Sequence, residues 1–497
     1  MNIIDLVIVV VFVLGIVFFG ATFYKKNRTS DDFSTGSGKL PAWVLGLSIL
    51  ATYVSSISYL ALPGIAFFSN WNAFALSIAL PFGVIIAVKF FVPLYRSIGS
   101  TSAYAYLEER FGVWARMYAA SCYLLTQIVR TATILYLLAL PLYVFLDWDI
   151  RLIILLTGIS TLIFSNLGGI KAVVWTDAVQ AIIMISGALI ALCFLVFSLP
   201  GGIGQYMDIG MAYHKFSLGS FGSSLSESTF WIVFVYGLFI SLQNYGIDQN
   251  YIQRYIIARN FKEAISSVLG GGLLYIPVSL VFFLIGTALF AYFHVYPDML
   301  PPVYRESGMS DSVFPYFIIN ILPTGLTGLL IAAIISAGMS TISTSLNSGS
   351  TVFLIDFYKR IKKSVNEQES SRVLQISSVL IILLGISISF LFIKVESMFV
   401  LYTSLAGIFS GGMLGLFLLG YFSKKTGNLP AIIGVVTGLL LIIWMSLSPA
   451  VFSGMMESFK SPFHSYLTLV FGTMTIFFAG FFISWALHRF KKKSINS

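Results

Sequence analysis

A dense group of hydroxyl side chains lies inside an otherwise apolar stretch near residues 325–354. Its polar members are Ser336, Ser340, Thr341, Ser343, Thr344, Ser345, Asn347 and Ser348. One helical face, at the spacing i, i+3, i+4 and i+7, carries Ala337, Ser340, Thr341 and Thr344. Several hydroxyl oxygens on one face, with no charge nearby in sequence, suit a small monovalent cation such as Na⁺. Alternatively, the hydroxyls bond back to their own helix or pack closely against a neighbouring one.

A second polar stretch runs from Gly46 to Tyr59 and reads GLSILATYVSSISY. Its hydroxyl residues and the helix-breaking residues that follow are Thr52, Ser55, Ser56, Ser58, Pro63 and Gly64. A break in a helix here would free backbone carbonyls, and such carbonyls coordinate ions where discontinuous helices line a cavity. A continuous helix with small residues for close packing is the other interpretation.

Two ionisable side chains also lie inside apolar stretches, where they are costly and therefore functional candidates. Arg130 keeps its charge when buried, so it requires an anionic or carbonyl partner. That partner is either a substrate carboxylate or a member of a structural ion pair. Asp177, in the run VWTDAVQ, could ligate a cation, carry a proton, or pair at the membrane interface.

The amino-acid composition indicates that these residues lie in membrane-spanning helices. Apolar residues make up 58% of the 497 residues and charged residues only 10%, against about 25% charged in an ordinary soluble domain. Long apolar runs such as 6–23 and 376–393 have the length of bilayer-spanning helices. The chain is therefore a polytopic membrane protein, which excludes a soluble enzyme, a secreted module and a nucleic-acid binder.

Hydropathy predicts about thirteen transmembrane helices. They lie near 3–23, 42–68, 73–95, 117–146, 152–170, 173–198, 229–252, 267–294, 325–354, 373–393, 397–421, 430–448 and 464–487. The first span has Asp5 rather than a basic start, and the cluster Lys25, Lys26 and Arg28 follows it, so we expect a retained helix rather than a cleaved signal peptide.

The distribution of basic residues predicts the orientation of these spans. With the N-terminus outside, 22 of the 29 Lys and Arg residues fall in inner segments, among them Arg254 in the segment 254–262. Because basic residues near span ends stay on the cytoplasmic side, we expect an outer N-terminus and a cytoplasmic C-terminus in the cell membrane. The net charge of +9 then reflects topology and not a polyanionic partner.

Other functional classes have little support in the sequence. Cys122 and Cys193 lie in apolar spans and the four histidines are scattered, so neither a disulfide framework nor a metal site is expected. A membrane enzyme usually shows paired acidic or His-rich motifs at a span end, and none is visible. An ion channel would show a filter motif or a voltage-sensing arginine series.

Four motifs carry a resemblance to a known family. They are DDFSTGSGKLPAW at 31–43 running into GLSILAT at 46–52, GGIKAVVWTDAVQ at 168–180, DQNYIQR at 248–254 and STSLNS at 343–348. In this order and spacing, the chain resembles the sodium/solute symporter family over essentially its whole length. Within that family, the second-span residues and Arg130 look most like the sialic acid (N-acetylneuraminate) symporters.

The resemblance implies an all-α fold with a LeuT-type core of two inverted five-helix repeats. All of 1–497 would form one transmembrane transporter domain. Its parts would be a peripheral first helix at 3–23, a first repeat at 42–198, a second repeat at 229–421 and two peripheral helices at 430–487.

The resemblance also implies three groups of site residues. A first sodium site would use Ala51, Val54, Ala337, Ser340 and Thr341, with carbonyls from the first three and hydroxyls from the last two. A second sodium site would use Asp177, Ser340, Ser343 and Thr344. Substrate contacts would come from Tyr53, Ser55, Ser58, Ser77, Arg130, Phe239 and Gln243. Tyr53 and Ser77 depart from the small hydroxyl and the longer amide expected at those two places.

The implied function is sodium-coupled import of sialic acid or a similar carboxylated sugar by alternating access, without an enzymatic step, an organic cofactor or an obligate protein partner. Each charge that crosses about 100 mV is worth about 2.3 kcal/mol, so two Na⁺ with one monoanion leave a net inward charge. Proline, pantothenate, neutral sugars and iodide are the alternative solutes, and an ion channel is the alternative class. Arg130 argues against a neutral sugar.

Overall fold

The computed structural model describes residues 2–23, 33–34, 40–394, 398–451 and 454–495, and within this part it is helical with no β-strand. The basic cluster 25–28 and most of the 31–43 motif lie outside the described residues. The helices of the first half are α1 (Ile3–Ala21), α2 (Ala42–Tyr53), α3 (Leu62–Phe68), α4 (Ala75–Ile86), α5 (Val92–Ile98), α6 (Ala105–Phe111), α7 (Val113–Leu146), α8 (Ile150–Phe197), α9 (Gly202–Ala212) and α10 (Phe230–Ile247).

The second half continues in the same way. Its helices are α11 (Gln249–Ile256), α12 (Phe261–Val295), α13 (Ser310–Asn320), α14 (Leu326–Val352), α15 (Lys359–Ile361), α16 (Glu367–Ser389), α17 (Met398–Phe422), α18 (Asn428–Val451) and α19 (Leu467–Ile495). Short π-helical turns at Ile57–Ala61, Ala87–Phe91 and Phe353–Tyr358 extend three of the spans.

Eleven helices in the described part are long and apolar enough to cross a membrane, and one bent pair gives a twelfth. The sequence predicted about thirteen spans. The fifth of them, near 152–170, is the first part of α8, which is helical from Ile150 up to the kink at Gly169.

The second span is broken, as its polar residues suggested. Helix α2 ends at Tyr53, Val54 adopts an extended conformation, and the following segment 57–68 is bent by 61° from α2. The local sequence favours this break because Ser55 and Ser56 offer their hydroxyls as alternatives to helical hydrogen bonds. A second irregularity lies in α8, where Gly169 has φ 57° and ψ −164°. Only glycine adopts such angles without strain.

Helix α14 lies at the centre of the bundle and α1 at its edge. In the 18-residue apolar stretch that identifies each span, 89% of the residues are buried in the span that contains α14, against 22% in α1. The Asp5 carboxylate accepts the backbone N–H groups of Gly325 and Gly328, at 2.7 and 2.9 Å, where α14 begins. A carboxylate is stabilised at a helix N-terminus, so α1 is docked on the hydroxyl-rich helix.

Candidate functional site

A cavity opens beside the break between α2 and α3. Its polar and aromatic lining includes Tyr53, Ser55, Ser58, Ser77, Thr126, Arg130, Tyr236, Gln243, Asn244, Asp248, Tyr251, Tyr275, Ser279 and Tyr402. These residues come from the broken span, from α4, α7, α10, α12 and α17, and from the start of α11. Because the lining combines hydroxyls, amides and two opposite charges, the cavity suits a polar solute rather than a lipid chain.

Six of the seven residues expected to contact substrate line this cavity. They are Tyr53, Ser55, Ser58, Ser77, Arg130 and Gln243. The seventh, Phe239 in α10, is 8% exposed and is packed in the hydrophobic core, outside the lining of the cavity. Ser77 pairs with Ser279 through their hydroxyls at 2.7 Å, so this short side chain reaches a partner across the cavity wall.

Aromatic rings surround Tyr53, which departs from the small hydroxyl residue expected there. Its ring lies 4.3 Å from that of Tyr275, 5.9 Å from that of Tyr245 and 6.2 Å from that of Tyr251. Aromatic pairs at these separations are stabilising and leave their polar ends available for hydrogen bonds. The large side chain at position 53 therefore forms part of a tyrosine cluster beside the break.

Arg130 reaches the broken span directly. Its side chain is 7% exposed, and Nη2 donates to the backbone carbonyl of Thr52 at 2.6 Å. Among the described residues no carboxylate lies within 4 Å of its nitrogens. Arg130 is thus held by a carbonyl and not by a structural ion pair, and with five N–H donors it keeps hydrogen-bonding capacity for a group in the cavity.

A second polar cluster lies at the interface of α2, α8, α11 and α14. Asp177 is fully buried, and its Oδ1 accepts the Ser340 hydroxyl at 2.6 Å while its Oδ2 accepts the Ser48 hydroxyl at 2.6 Å. Two hydroxyls from two helices converge on one carboxylate, which is an arrangement of hard oxygen ligands.

Arg254, which the sequence predicts at the start of the inner segment 254–262, completes this cluster. It lies in α11 and is fully buried. Its Nη2 donates to Asp177 Oδ2 at 2.8 Å and to the Thr344 hydroxyl at 3.0 Å. Its Nε donates to the Ser48 hydroxyl at 2.8 Å, and Nη1 donates to the Asn250 carbonyl. The only signal for it in the sequence is its place in the motif DQNYIQR.

Several other hydroxyls of α14 bond within their own helix. Thr341 donates to the carbonyl of Ala337 at 3.0 Å, and Ser343 donates to the carbonyl of Ser340 at 2.9 Å. This is the back-bonding that was the alternative to ion binding for each single hydroxyl. It places the hydroxyl of Thr341 beside the Ala337 carbonyl, so two oxygens of the expected first sodium site are adjacent.

Ala51 and Val54, the remaining members of that site, flank the end of α2. Both are buried, and Val54 is the residue at which the backbone leaves the helical conformation. The chain continues at Ser55 outside the regular α-helix, so carbonyls in the last turn of α2 lack their usual helical partners. Such carbonyls are the backbone oxygens that the sequence predicted for an ion.

The chain was compared with protein families and with solved structures. The sodium:solute symporter family profile matches residues 33–438. The sodium/sialic acid symporter NanT of Aliivibrio fischeri is 33% identical over 430 residues, which is 86% of this chain and 84% of that protein. The sodium/sialic acid symporter SiaT of Proteus mirabilis is 33% identical over 431 residues, which is 85% of this chain and 86% of that protein.

The fold agrees with these matches. A Na⁺-coupled sialic acid symporter, solved in a substrate-bound outward-open state with a novel Na⁺ site, superposes with a TM-score of 0.89 at 29% identity. The superposition covers 97% of this chain and 98% of that one. This confirms the expected LeuT-type fold. A nucleobase-cation-symport-1 transporter shares the fold at a TM-score of 0.58 and 13% identity.

Proposed function

We propose that this chain, which belongs to the sodium:solute symporter family, imports sialic acid or a closely similar carboxylated sugar together with Na⁺. Arg130 in the cavity wall carries this proposal. It is a permanently charged side chain with a carbonyl as its partner, so a substrate carboxylate can form an ion pair with it without breaking an existing one. The chain's similarity to two sodium/sialic acid symporters supports a sugar acid as the substrate.

The first sodium site is proposed at the break of the second span. It would use the carbonyls of Ala51, Val54 and Ala337 and the hydroxyls of Ser340 and Thr341. All five residues are buried. An ion here would tie the end of α2 to α14, and therefore would fix the wall of the adjacent cavity before substrate arrives.

A second sodium site is proposed at Asp177, Ser340, Ser343 and Thr344. Two contacts support this site. The Asp177 carboxylate accepts the Ser340 hydroxyl, and Arg254 donates both to Asp177 and to the Thr344 hydroxyl, which brings Thr344 close to the carboxylate. Two ions per substrate would leave a net inward charge, worth about 2.3 kcal/mol per 100 mV after the monoanionic substrate is counted. That surplus adds the membrane potential to the sodium gradient as a driving force for import.

The proposed cycle is alternating access. The first repeat would be 42–198 and the second 229–421, with 3–23 and 430–487 outside the core. The N-terminus would face outside and the C-terminus the cytoplasm of the cell. Sodium would bind from outside, complete the cavity, and leave with the substrate when the inner side opens. No chemical conversion of the sugar is part of this cycle.

Arg130→Ala in purified protein reconstituted into liposomes tests the substrate assignment. Uptake of N-acetylneuraminate driven by a sodium gradient should fall to the level of protein-free liposomes, because the carboxylate loses the one cationic side chain among the described residues that line the cavity. Lys89→Ala is the control, since it removes a positive charge from an exposed position outside the cavity. If Arg130→Ala takes up N-acetylneuraminate at the wild-type rate, Arg130 does not bind the substrate carboxylate, and the assignment of a carboxylated sugar as substrate is contradicted as well.

A further inference from the structure

The cavity beside the broken span contains a second charged side chain that the family resemblance did not assign. Among the described residues that line the cavity, Arg130 and Asp248 are the two with full charges. Both are more than nine-tenths buried, with exposed fractions of 7% and 6%. They interact electrostatically but form no ion pair within 4 Å in the described part of the chain. The two charges therefore face one cavity from separate positions.

Asp248 has a structural task that uses only one of its oxygens. It precedes α11, and its Oδ1 accepts the backbone N–H of Asn250 at 2.7 Å as an N-cap. Among the described residues, Oδ2 has no hydrogen-bond partner. A cap needs an acceptor oxygen but not a negative charge, because Asn caps helices about as well as Asp. The charge of Asp248 is therefore available for another purpose.

The balance of buried charge indicates that purpose. Asp177 and Arg254 are joined at 2.8 Å and cancel each other, and Arg130 and Asp248 cancel each other around the cavity. A substrate carboxylate adds one negative charge to this neutral set. In a medium of low dielectric constant an uncompensated charge is strongly unfavourable. One sodium ion at the neutral first site restores the balance.

We propose that Asp248 is a specificity residue that makes the cavity accept an anionic substrate only when sodium is bound nearby. The proposal rests on the proposed function, since it takes the substrate to be a carboxylated sugar and the coupling ion to be Na⁺. Without the charge at position 248, Arg130 alone would attract the substrate carboxylate whether or not sodium is present. With the charge of Asp248 present, the attraction of Arg130 for the substrate carboxylate is offset until sodium binds.

Two variants separate the charge of Asp248 from its cap. Asp248→Asn keeps the cap and removes the charge, whereas Asp248→Glu keeps the charge and caps poorly. The measurement is the dissociation constant of N-acetylneuraminate on purified protein over a series of sodium concentrations, with choline as the replacing ion. We expect the ratio of the low-sodium to the high-sodium constant to fall about tenfold in Asp248→Asn, through tighter binding at low sodium. Asp248→Glu should keep the wild-type ratio.

The reverse pattern would overturn the inference. If Asp248→Asn keeps the wild-type ratio, or if both variants merely weaken binding equally at all sodium concentrations, Asp248 acts only as a helix cap. Failure of the proposed function has a different signature. In that case the wild-type protein binds no N-acetylneuraminate at any sodium concentration, and the inference falls together with its premise.

Discussion

The two candidate sodium sites share Ser340 but differ in charge. The first combines backbone carbonyls with hydroxyls and has no charged member, and it adjoins the cavity that Arg130 lines. The second is built on the carboxylate of Asp177, which already has a cationic partner in Arg254 at 2.8 Å. A sodium ion at the first site meets only neutral oxygens. A sodium ion at the second must share a carboxylate with a guanidinium that is part of the protein.

This difference assigns different tasks to the two sites. Neutral oxygens bind sodium loosely enough to release it, and their position at the broken span links the ion to the substrate cavity. The carboxylate supplies a stronger attraction, but Arg254 offsets it. We therefore expect the first site to control whether substrate binds and the second to control how many charges move in each cycle.

Ser340→Ala should have the largest effect, since it removes the ligand that both sites share. If each site loses about tenfold in affinity, uptake at sub-saturating sodium should shift down about 100-fold, because it depends on the product of the two sodium affinities. Sodium-dependent uptake of N-acetylneuraminate by reconstituted protein measures this shift. Ser336→Ala is the matched control, because Ser336 is buried on the same helix but donates only to the Ala332 carbonyl. If Ser340→Ala and Ser336→Ala show the same sodium dependence of uptake, Ser340 is not a ligand that both sodium sites share.

Asp177→Asn should have the next largest effect and should act on the second site alone. The number of sodium ions per substrate should fall from two to one, which removes about 2.3 kcal/mol per 100 mV of driving force, or about 50-fold in the accumulation limit. Charge-to-substrate ratios from reversal potentials in liposomes measure it.

A stability measurement sharpens this second test. Asp177→Asn leaves Arg254 buried without its counter-charge, which costs about 3–5 kcal/mol and should lower the melting temperature. The double variant Asp177→Asn with Arg254→Gln removes both charges and should recover stability but not the second ion. An unchanged charge ratio in both variants would remove the second site from the mechanism.

Thr341→Ala should have the smallest of the three effects because it touches the first site only. If the first site loses about tenfold in affinity, uptake at sub-saturating sodium should fall about tenfold while the number of ions per substrate stays the same. Thr341→Ser, which keeps the hydroxyl, should behave as the wild type. A change in ion number with unchanged sodium affinity would show that the two sites have been interchanged.

The sequence predicted best those features that follow from local periodicity. The shared face of Ala337, Ser340 and Thr341 follows from helical spacing alone, and the clustered hydroxyls in an apolar segment indicated the break near Val54 as one of two interpretations. Both are visible because polar residues are rare in spans. The wall of the cavity was predicted through the resemblance, which named Arg130 and Gln243 among its residues.

What the sequence did not predict depends on contacts between distant helices. Arg254 stands near the end of a hydropathy span, where a basic residue usually belongs to a loop, and only its contacts with α8 and α14 place it in the core. Tyr275 and Tyr402 are indistinguishable from core aromatics until the helices are packed.

Sodium dependence of accumulation tests the central claim most directly. Reconstituted protein in liposomes with an inward sodium gradient should concentrate N-acetylneuraminate above the external level, and the concentration ratio should collapse to one when choline or potassium replaces sodium on both sides. Accumulation that persists unchanged in choline would contradict sodium coupling, and with it the proposed role of the hydroxyl face of α14 beside the broken helix.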